Sequence, residues 1–567
     1  MNKPKGQQTA RQGPPKKPTP ERQAAAFKLM LLGAAIALVL IYILSQILDI
    51  ESRNTAFWIY GRYAGVALFA WVGHSIGLGR GRVVAENLEC LAIAVVMALI
   101  LKYFLVEAYK IPTGSMQPTI LGDAETGIFD RVLVNKFAYL VDEPERYDVI
   151  VFKFPLDRSK NYIKRLIGLP GERIMIFGGN IYAADRGPND AFGALKIARK
   201  EDSVREAVMK TIYPSGRSGE SFDSAFTVLN GSRSVDGDSI TLSAGSRIRY
   251  GAGEPIRDRY DDGYDVDWNI AVPDHVVAFG KHVVSDLGLR LEVTPGEGMQ
   301  ELQLLIRVNG IEHRGIVACG PASASGANSA GRSTRIESGF IQVGGGGEGG
   351  GDDLVGIGTQ ATVVAKQPDL RIQEGESVEV AFLHVDQELI LEVDGDQVLR
   401  FGYEIAEEAD SAGAPGLYPW PRAPETNAVM LAVQGGQATL TDLELVRDIH
   451  YTTPGRTTPL TFDVPEDALF AMGDNTENSH DGRMWEAERV RLPDGTELLR
   501  EHRGYGWDTR ESVDIYGETY RVPYGAEPVI NRVGVQPFNF IPRNLLLGKA
   551  IAIFWPIYPH FRWKLLR

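Results

Sequence analysis

The chain is poor in cysteine and lacks common motifs of metal chemistry. Its 567 residues include two cysteines, Cys90 in an apolar segment and Cys319 in a distant polar one. A bridge between them is not expected, so there is no disulfide framework from which to infer the compartment. The nine histidines form no H-E-x-x-H pair, and zinc-type ligand spacing is absent. The sequence therefore gives no support to a metallopeptidase of that kind and indicates no cofactor.

A surplus of basic residues is also absent. Acidic residues outnumber basic ones, 73 to 59, and the formal net charge is −14. Nucleic-acid binding depends on a basic surface that faces the phosphates, so nucleic acid is not expected as a partner. The glycine-rich segment 344–351 lacks the G-K-[ST] ending of a phosphate-binding loop and is interpreted as a flexible loop.

The N-terminal region predicts a membrane anchor. Residues 1–28 are rich in Lys, Arg, Pro and Gln, with Glu21 the only acid, which is typical of a disordered basic tail. Residues 29–48 then carry no charge over a length that can cross a bilayer. This segment is longer than the apolar core of a cleavable signal peptide.

Two further apolar stretches, 56–79 and 88–106, predict a second and a third span. By the positive-inside rule the basic tail is cytoplasmic, so three crossings place everything after residue 107 outside. Arg62 and His74 lie within 56–79, and the alternative is that this stretch is a buried or interfacial helix. Two spans would then remain, and the tail would have to be exterior to leave Ser115 outside.

Segment 111–119 (IPTGSMQPT) begins a few residues after the third apolar stretch. It places Ser115 between Gly114 and Met116, close to the predicted lipid–water boundary. Serine is a poor nucleophile unless a base lies beside it. Alone, this segment indicates little about chemistry.

A candidate base lies in the next two predicted strands. Segments 146–152 (RYDVIVF) and 161–172 (NYIKRLIGLPGE) both have strand patterns, with a turn at Pro170. Tyr162, Lys164 and Leu166 share one face of the second strand. Desolvation there would lower the pKa of Lys164 from about 10.4, so that a neutral amine could accept the serine proton. The alternative is a strand lysine whose tip reaches water.

A third segment, 470–483 (FAMGDNTENSHDGR), predicts a polar loop after a strand. Such a loop can hold a base in place through hydrogen bonds. The alternatives are a surface turn or a cation-binding loop, although its spacing does not fit an EF-hand.

Together, these three segments resemble the nucleophile, base and final boxes of bacterial signal peptidase I, a membrane-bound serine endopeptidase. The resemblance covers roughly 90–180, 462–485 and 540–557. It implies that Ser115 is the nucleophile and Lys164 the general base. It also implies that the Ser115 N–H and the Thr113 hydroxyl form the oxyanion hole. The supporting residues it implies are Ser479, which would orient Lys164, and two ion pairs, Asp474 with Arg165 and Asp481 with Arg483.

The sequence departs from the family pattern at supporting positions. Thr476 stands where the family usually has Arg, and Gly482 stands where it usually has Ser. Many relatives have Ser where Thr113 stands, and either hydroxyl can donate a hydrogen bond. These departures concern the geometry of the final loop more than the chemistry.

The resemblance implies removal of signal peptides from exported preproteins through an acyl-enzyme, with small residues such as Ala preferred at the first and third positions before the cut. The implied location is the bacterial cytoplasmic membrane, multi-pass, with the catalytic domain on the periplasmic side. The implied partners are signal peptides and the lipid bilayer. No cofactor or metal is implied.

A large segment, 181–460, separates the second and third boxes. Its many short strands with Gly and Asp turns, such as 377–383, 388–395 and 438–445, predict an antiparallel β-sandwich. The pattern loosely resembles concanavalin-like jelly rolls of the laminin-G type. The insertion is either a spacer or a binding surface for a glycan, a protein partner or the substrate.

The expected fold is therefore mainly β: transmembrane helices, then a catalytic β domain interrupted by the sandwich. The predicted segments are a tail (1–28), a membrane region (29–107), a first catalytic part (108–180), the insertion (181–460), a second catalytic part (461–485), a second insertion (486–537) and a closing segment (538–567).

Two other functions stay open. One is a catalytically inactive, membrane-anchored glycan- or protein-binding module on a signal-peptidase scaffold. The other is a Ser–Lys self-cleaving regulator, which the predicted spans disfavour because such proteins act in the cytoplasm.

Overall fold

The structure is a computed structural model in which part of the chain is described. The described residues are 19–32, 71–72, 74–76, 106–123, 127–187, 189, 191–214, 221–264, 280–321, 333–340, 361–403, 426–453, 459–491, 497–502, 511–513, 515, 519–521, 531–555 and 563–566. The chain divides into two units, Met1–Leu105 and Val106–Arg567.

The first unit contains a helix at 20–32. Thr19 precedes it, and its hydroxyl accepts the Arg22 N–H at 3.5 Å. A threonine cap followed by Pro20 is a common helix start. The helix thus begins inside the segment predicted to be disordered, because residues 20–28 are rich in strong helix formers such as Ala, Gln and Arg.

The predicted spans 29–48, 56–79 and 88–106 lie almost wholly outside the described residues. Within the described part of the chain, no helix combines the length and the apolar character needed to cross a bilayer.

The second unit is mainly β. Its first strands are β1 (Val106–Lys110), β2 (Gly122–Asp123), β3 (Ile128–Phe129), β4 (Arg131–Asn135), β5 (Val149–Phe154), β6 (Asp157–Gly168), β7 (Glu172–Phe177) and β8 (Asn180–Asp185). The next are β9 (Lys196–Ile197), β10 (Lys210–Tyr213), β11 (Phe226–Asn230), β12 (Arg233–Asp236), β13 (Ser239–Leu242), β14 (Arg247–Tyr250), β15 (Leu287–Pro295), β16 (Met299–Val308), β17 (Ile311–Ala318), β18 (Thr334–Phe340), β19 (Thr362–Gln367), β20 (Val378–Val385), β21 (Glu388–Val393), β22 (Asp396–Gly402), β23 (Asn427–Gly435) and β24 (Ala438–Arg447). The last are β25 (Leu460–Asp463), β26 (Ala468–Met472), β27 (Glu486–Arg491), β28 (Glu497–Glu501), β29 (Glu511–Val513), β30 (Thr519–Arg521), β31 (Asn531–Pro537), β32 (Ile541–Pro542), β33 (Leu546–Trp555) and β34 (Lys564–Leu565).

Short helices join some of these strands. The α-helices are Ala138–Val141, Asp202–Val208 and Phe222–Ala225, and the 3-10 turns are Gly114–Met116, Thr476–Asn478 and Arg543–Leu545.

Strands from the predicted catalytic parts of the chain form one sheet. Its strand order is β1-β4-β33-β5-β6-β26-β32, with β34 paired to β33. Strand β5 is apolar on both faces: Val149 and Val151 pack into one core cluster, and Ile150 and Phe152 pack into another. Alternate residues of a strand point to opposite faces, so β5 is buried between two layers. This explains its continuous rather than alternating hydrophobic pattern.

A second sheet, β25-β7-β8-β9, packs beside the first. Strands β8 and β9 fall within the segment predicted as insertion, yet they pair with β7 and with each other. Strands of the sandwich itself begin at β10 and end at β24.

The sandwich consists of two antiparallel sheets. One has the order β12-β13-β24-β15-β20-β21-β22, with β10 paired to β24, and the other has the order β11-β14-β23-β16-β17-β18-β19. Their facing sides share one hydrophobic core, to which β15 contributes Leu289 and Leu291 and β16 contributes Leu302 and Leu304. Alternate residues of these strands face this core, as expected where two β-sheets pack face to face. The structure is thus mainly β, as the sequence predicts.

A hairpin turn at Asp394 and Gly395 joins β21 to β22. Both residues have positive φ, 51° and 78°, as a two-residue hairpin turn requires. The second predicted insertion contains the sheet β28-β27-β31 and the pair β29-β30.

Candidate active site

Ser115 and Lys164 meet at the centre of the catalytic sheet. The Lys164 Nζ lies 2.5 Å from the Ser115 Oγ, and the two residues are 4% and 8% exposed. Ser115 lies in the 3-10 turn Gly114–Met116, and Lys164 lies in β6, opposite Ile150 of β5. A hydroxyl and an amine at this distance can share a proton without a bridging water.

Burial lowers the pKa of Lys164 to about 8. The Asp481 and Asp474 carboxylates oppose this shift, and the Arg483 guanidinium adds to it. The Lys164 Nζ also lies 5.6 Å from the centre of the Tyr162 ring, so an aromatic face replaces part of its water. With this pKa about a tenth of the amine is neutral at pH 7, and the neutral form is the one that a general base requires.

Asp474 and Arg165 form a fully buried ion pair beside this dyad. The Arg165 Nε and Nη2 donate to the two Asp474 carboxylate oxygens at 2.8 and 2.6 Å. Burial alone would raise the pKa of Asp474, but Arg165 and the Thr119 hydroxyl, at 2.7 Å, hold that pKa below its ordinary value. Both oxygens of the Asp474 carboxylate therefore accept hydrogen bonds.

Asp481 and Arg483 form the second buried pair. The Arg483 Nε and Nη2 donate to Asp481 at 2.8 Å each, and the Gly473 N–H donates to the same carboxylate at 3.0 Å. Burial would raise the pKa of Asp481, but Arg483 keeps it below its ordinary value. This pair closes the loop that follows β26.

Gly473 allows the final loop to approach the serine turn. A Cβ on Gly473 would lie 2.3 Å from both the Ser115 carbonyl oxygen and the Ser479 Oγ, so only glycine fits without movement. The Asn475 N–H donates to the Ser115 carbonyl at 3.2 Å, and the Asn475 side-chain amide donates to the Gly114 carbonyl at 2.9 Å. The loop thus binds the backbone on both sides of the serine.

Two residues of the predicted site are placed less completely. Ser479 is buried next to Gly473 and Ser115, and its hydroxyl interacts with the Asp481 carboxylate, whose pKa it helps to lower. Orientation of Lys164 by Ser479 therefore stays a prediction. Thr113 precedes the serine turn in an extended conformation, with φ −127° and ψ 151°, and the residue is exposed.

The two departures from the family pattern have local explanations. A side chain at Gly482 would lie 2.7 Å from the Asn539 carbonyl and 2.9 Å from the Phe470 ring, so a serine would not fit without movement. The Thr476 hydroxyl donates to the His450 carbonyl at 2.8 Å, which ties the loop to the end of the insertion.

Two clusters have the residue types and spacing of cation ligands. In Asp286, Asp386 and Asp448 the Lys200 ammonium already lies 2.8 and 2.6 Å from two of the carboxylates. The other cluster is Asp258, His282 and Glu477. There the Asp258 Oδ1 accepts two backbone N–H groups, from Lys281 and His282, and His282 Nε2 lies 3.2 Å from Glu477.

Several contacts of the site were not anticipated from sequence. Thr119 lies in segment 111–119 and Asn475 lies in segment 470–483. Their polar side chains next to the motif residues could have suggested that they contact the site. Lys210, Tyr260 and Tyr264 come from the insertion, and no motif marks them. Lys210 is buried, its pKa is lowered to about 7 by burial and then by Arg447, and its Nζ lies 3.4 Å from the Asp474 carbonyl.

Comparison with known proteins gives the class. Residues 84–253 match the model of the family described as "Signal peptidase, peptidase S26". The chain is a hydrolase of the serine peptidase class. Over residues 84–253 it is similar to the S26 signal peptidase family, and the relatives it matches include signal peptidase I proteins.

The relatives match parts of the chain. Signal peptidase I of Rickettsia prowazekii (strain Madrid E) is 29% identical over 208 residues, 33% of this chain and 74% of that protein. That of Rickettsia typhi (strain ATCC VR-144 / Wilmington) is 30% identical, over 27% of this chain and 63% of that protein. That of Pseudomonas aeruginosa is 43% identical over 90 residues, 14% of this chain and 30% of that protein. The chain thus spans less than two thirds of the second and third of these relatives.

Some solved structures are similar to the chain at low sequence identity. A carbohydrate-binding module, CBM66 of Bacillus subtilis, is 12% identical, covers 39% of this chain and 95% of its own, and has a TM-score of 0.23. Beta-agarase B of Zobellia galactanivorans is 7% identical, covers 42% of this chain and 90% of its own, and has a TM-score of 0.26. At these TM-scores the likenesses carry no argument.

Proposed function

We propose that the protein is a membrane-bound endopeptidase that removes signal peptides from exported preproteins, with Ser115 as nucleophile and Lys164 as general base. The observation that carries the proposal is the 2.5 Å contact between a buried amine of lowered pKa and a buried hydroxyl. The three relatives described above are signal peptidase I proteins, and they support the substrate class.

The chemistry proceeds through an acyl-enzyme. Neutral Lys164 takes the Ser115 proton as the oxygen attacks the scissile carbonyl, which gives a tetrahedral oxyanion and a lysine ammonium. The ammonium then returns the proton to the leaving amine as the C–N bond breaks. Lys164, neutral again, deprotonates a water, which attacks the ester, and the proton passes back to Ser115 as the acyl group leaves.

The Ser115 N–H and the Thr113 hydroxyl are the proposed oxyanion donors. Donors aimed at the developing charge stabilise the transition state by about 3–4 kcal/mol each in comparable sites. The exposed side of Thr113 fits a donor that waits for substrate. An extended signal peptide would bind by strand addition beside this turn, with small residues at the first and third positions before the cut.

The membrane location and the three spans remain part of the proposal. They rest on the uncharged stretch 29–48, the stretches 56–79 and 88–106, and the family's membrane-bound character. The insertion's role as a glycan- or protein-binding module on an inactive scaffold is not favoured, because the described dyad and both ion pairs are complete.

The test is cleavage of a purified preprotein by the full chain in detergent. We expect a single cut after the signal peptide, and no cut with Ser115→Ala or Lys164→Ala. Thr294→Ala, on β15 of the insertion, is the matched control and should cut normally. Cleavage that persists in Ser115→Ala would contradict the proposed nucleophile.

A further inference from the structure

The inserted sandwich contacts the Gln117 side chain, which follows the serine turn directly. The Tyr260 and Tyr264 hydroxyls, both from the insertion, donate to the Gln117 amide oxygen at 3.1 and 2.9 Å. The Gln117 amide nitrogen donates to the Gly122 carbonyl at 3.1 Å. The Gln117 amide, two residues after the candidate nucleophile Ser115, is thus one link between the insertion and the catalytic part of the chain.

This contact is shielded from water. Gln117 is 2% exposed, Tyr260 9% and Tyr264 4%. The two tyrosine rings stack with centres 6.0 Å apart and pack with Leu121. A buried amide oxygen that loses its donors pays the full desolvation penalty, so Gln117 has a strong preference for this one position.

The position of Gln117 in turn constrains the serine turn. A Cβ on Gly114 would lie 2.8 Å from the Gln117 amide oxygen, so that oxygen packs directly against the Gly114 backbone. The Gln117 N–H closes the turn by donating to the Gly114 carbonyl at 3.1 Å. A shift of the Gln117 side chain would therefore move the peptide that carries Ser115.

The tyrosines are themselves fixed to the sandwich. Arg447, at the end of β24, donates to Asp262 at 2.5 Å and to the Arg259 carbonyl at 3.0 Å. The Gly263 N–H donates to the Thr211 carbonyl of β10 at 2.9 Å. The segment that carries Tyr260 and Tyr264 is thus held at both ends to strands of the insertion.

The insertion also contacts the final loop, so it touches both sides of the dyad. Lys210 reaches the Asp474 carbonyl, and the Thr476 hydroxyl reaches the His450 carbonyl. A spacer that merely lengthened the chain would need none of these buried contacts.

We infer that Tyr260 and Tyr264 are positioning residues for Ser115, acting through Gln117, and that the insertion is a working part of the active site. The inference rests on the proposed function for its assay. It differs from a spacer role because it predicts an effect on the chemical step rather than on folding alone.

The test is a double-mutant cycle in the full chain. Tyr260→Phe/Tyr264→Phe removes two hydroxyls and keeps both rings. We expect kcat for preprotein cleavage to fall about 10- to 100-fold, as for a small misplacement of a reacting group, while KM stays near the wild-type value. In a Gln117→Met background, which has no amide to receive the hydroxyls, the same pair of changes should have no further effect on kcat.

The matched control is Tyr403→Phe. That hydroxyl hydrogen-bonds His384 on β20 of the same insertion. Its loss perturbs the sandwich rather than Gln117, so kcat should stay at the wild-type value. If the tyrosine pair acts only through the stability of the sandwich, its effect would be equal in the wild-type and Gln117→Met backgrounds, and the inference would be overturned.

A second readout separates this inference from the proposed function. The rate at which a small activated ester acylates Ser115, followed by intact mass, requires no preprotein. We expect it to fall in Tyr260→Phe/Tyr264→Phe by the same factor as kcat. A wild-type protein that acylates but cuts no preprotein would contradict the proposed substrate, and its acylation rates would still decide the role of the tyrosines. Unchanged acylation in the tyrosine variant would overturn the inference.

Discussion

Arg165 and Asp474 form a two-point ion pair that is closed to solvent, although 309 residues separate them in the chain. The whole insertion lies between them in sequence. The pair therefore joins β6, which carries Lys164, to the loop after β26. The site is assembled only when the chain on both sides of the insertion has folded together.

Asp474→Asn should destabilise the protein strongly. The change leaves the Arg165 guanidinium buried without a counter-charge, and loss of one partner of a buried pair costs about 3–5 kcal/mol. The measurement is the free energy of unfolding from urea titration, together with preprotein cleavage, which should also be lost.

Asp463→Asn is the matched control for that change. Asp463 makes a similar two-point pair with Arg173, but the side chains are 46% and 38% exposed. Exposed pairs contribute at most about 1 kcal/mol. Equal losses in the two variants would mean that the Arg165 pair does not carry the stability assigned to it.

Cleavage should depend on pH through Lys164. Because the amine must be neutral to accept the serine proton, kcat/KM should rise about tenfold per pH unit below the Lys164 pKa and level off above it. Burial lowers that pKa to about 8, so the limb should have its midpoint there. Lys164→Arg should abolish cleavage, because a guanidinium stays protonated.

Lys210 provides the discriminating control, because it is a second buried amine, with a pKa lowered to about 7. Lys210→Met is expected to reduce cleavage, since it removes a contact to the Asp474 carbonyl, but to leave the midpoint of the limb unchanged. If the midpoint of the pH limb moved in Lys210→Met, the limb would be assigned to Lys210 instead of Lys164.

The site residues that could be predicted from the sequence are those that lie in short segments with a recognisable pattern. Ser115, Lys164 and the ion-pair partners stand in short segments whose letters and order resemble one family, and the structure contains both expected ion pairs. The strands of the sandwich could also be predicted from the sequence, because period-two hydrophobic patterns and Asp-Gly turns are local signals.

The contacts between the insertion and the site could not be predicted in this way. Tyr260 and Tyr264 meet Gln117 more than 140 residues away in the chain, and no periodicity or motif records such a pairing. The start of the N-terminal helix at residue 20 was missed for a different reason: composition suggested disorder, while the Thr19 cap and local helix propensity favoured helix.

Gly473→Ala should reduce cleavage far more than stability. The added methyl would collide with the Ser115 carbonyl and the Ser479 side chain, so the serine turn must shift away from Lys164, and a displacement near 1 Å costs about 100-fold in rate. Gly534→Ala is the control, because its Cβ meets nothing within 4 Å. A normal cleavage rate in Gly473→Ala would show that the loop and the turn can separate without harm.

The sandwich should lose stability in acid through His384. Its Nδ1 lies 2.8 Å from the Ser285 carbonyl and its Nε2 lies 2.6 Å from the Tyr403 hydroxyl, so the neutral imidazole donates at Nδ1 and accepts at Nε2. Burial lowers its pKa from 6.5 to about 4, and the pKa of the stacked His313 is lowered too, by burial and then by His384.

The sign of the effect follows from proton uptake. Between about pH 6.5 and 4 the unfolded chain binds a proton at His384 that the folded chain does not, so stability falls as the pH falls through this window. At about pH 5 the loss relative to neutral pH should be about 2 kcal/mol for this one group. His384→Asn removes the titrating group, so its urea midpoint should fall less between the two pH values than that of the wild type. His450, also buried with a pKa lowered to about 3, titrates in both proteins. The difference between them therefore reports His384 together with its effect on the stacked His313. An equal fall in the two proteins would contradict this assignment.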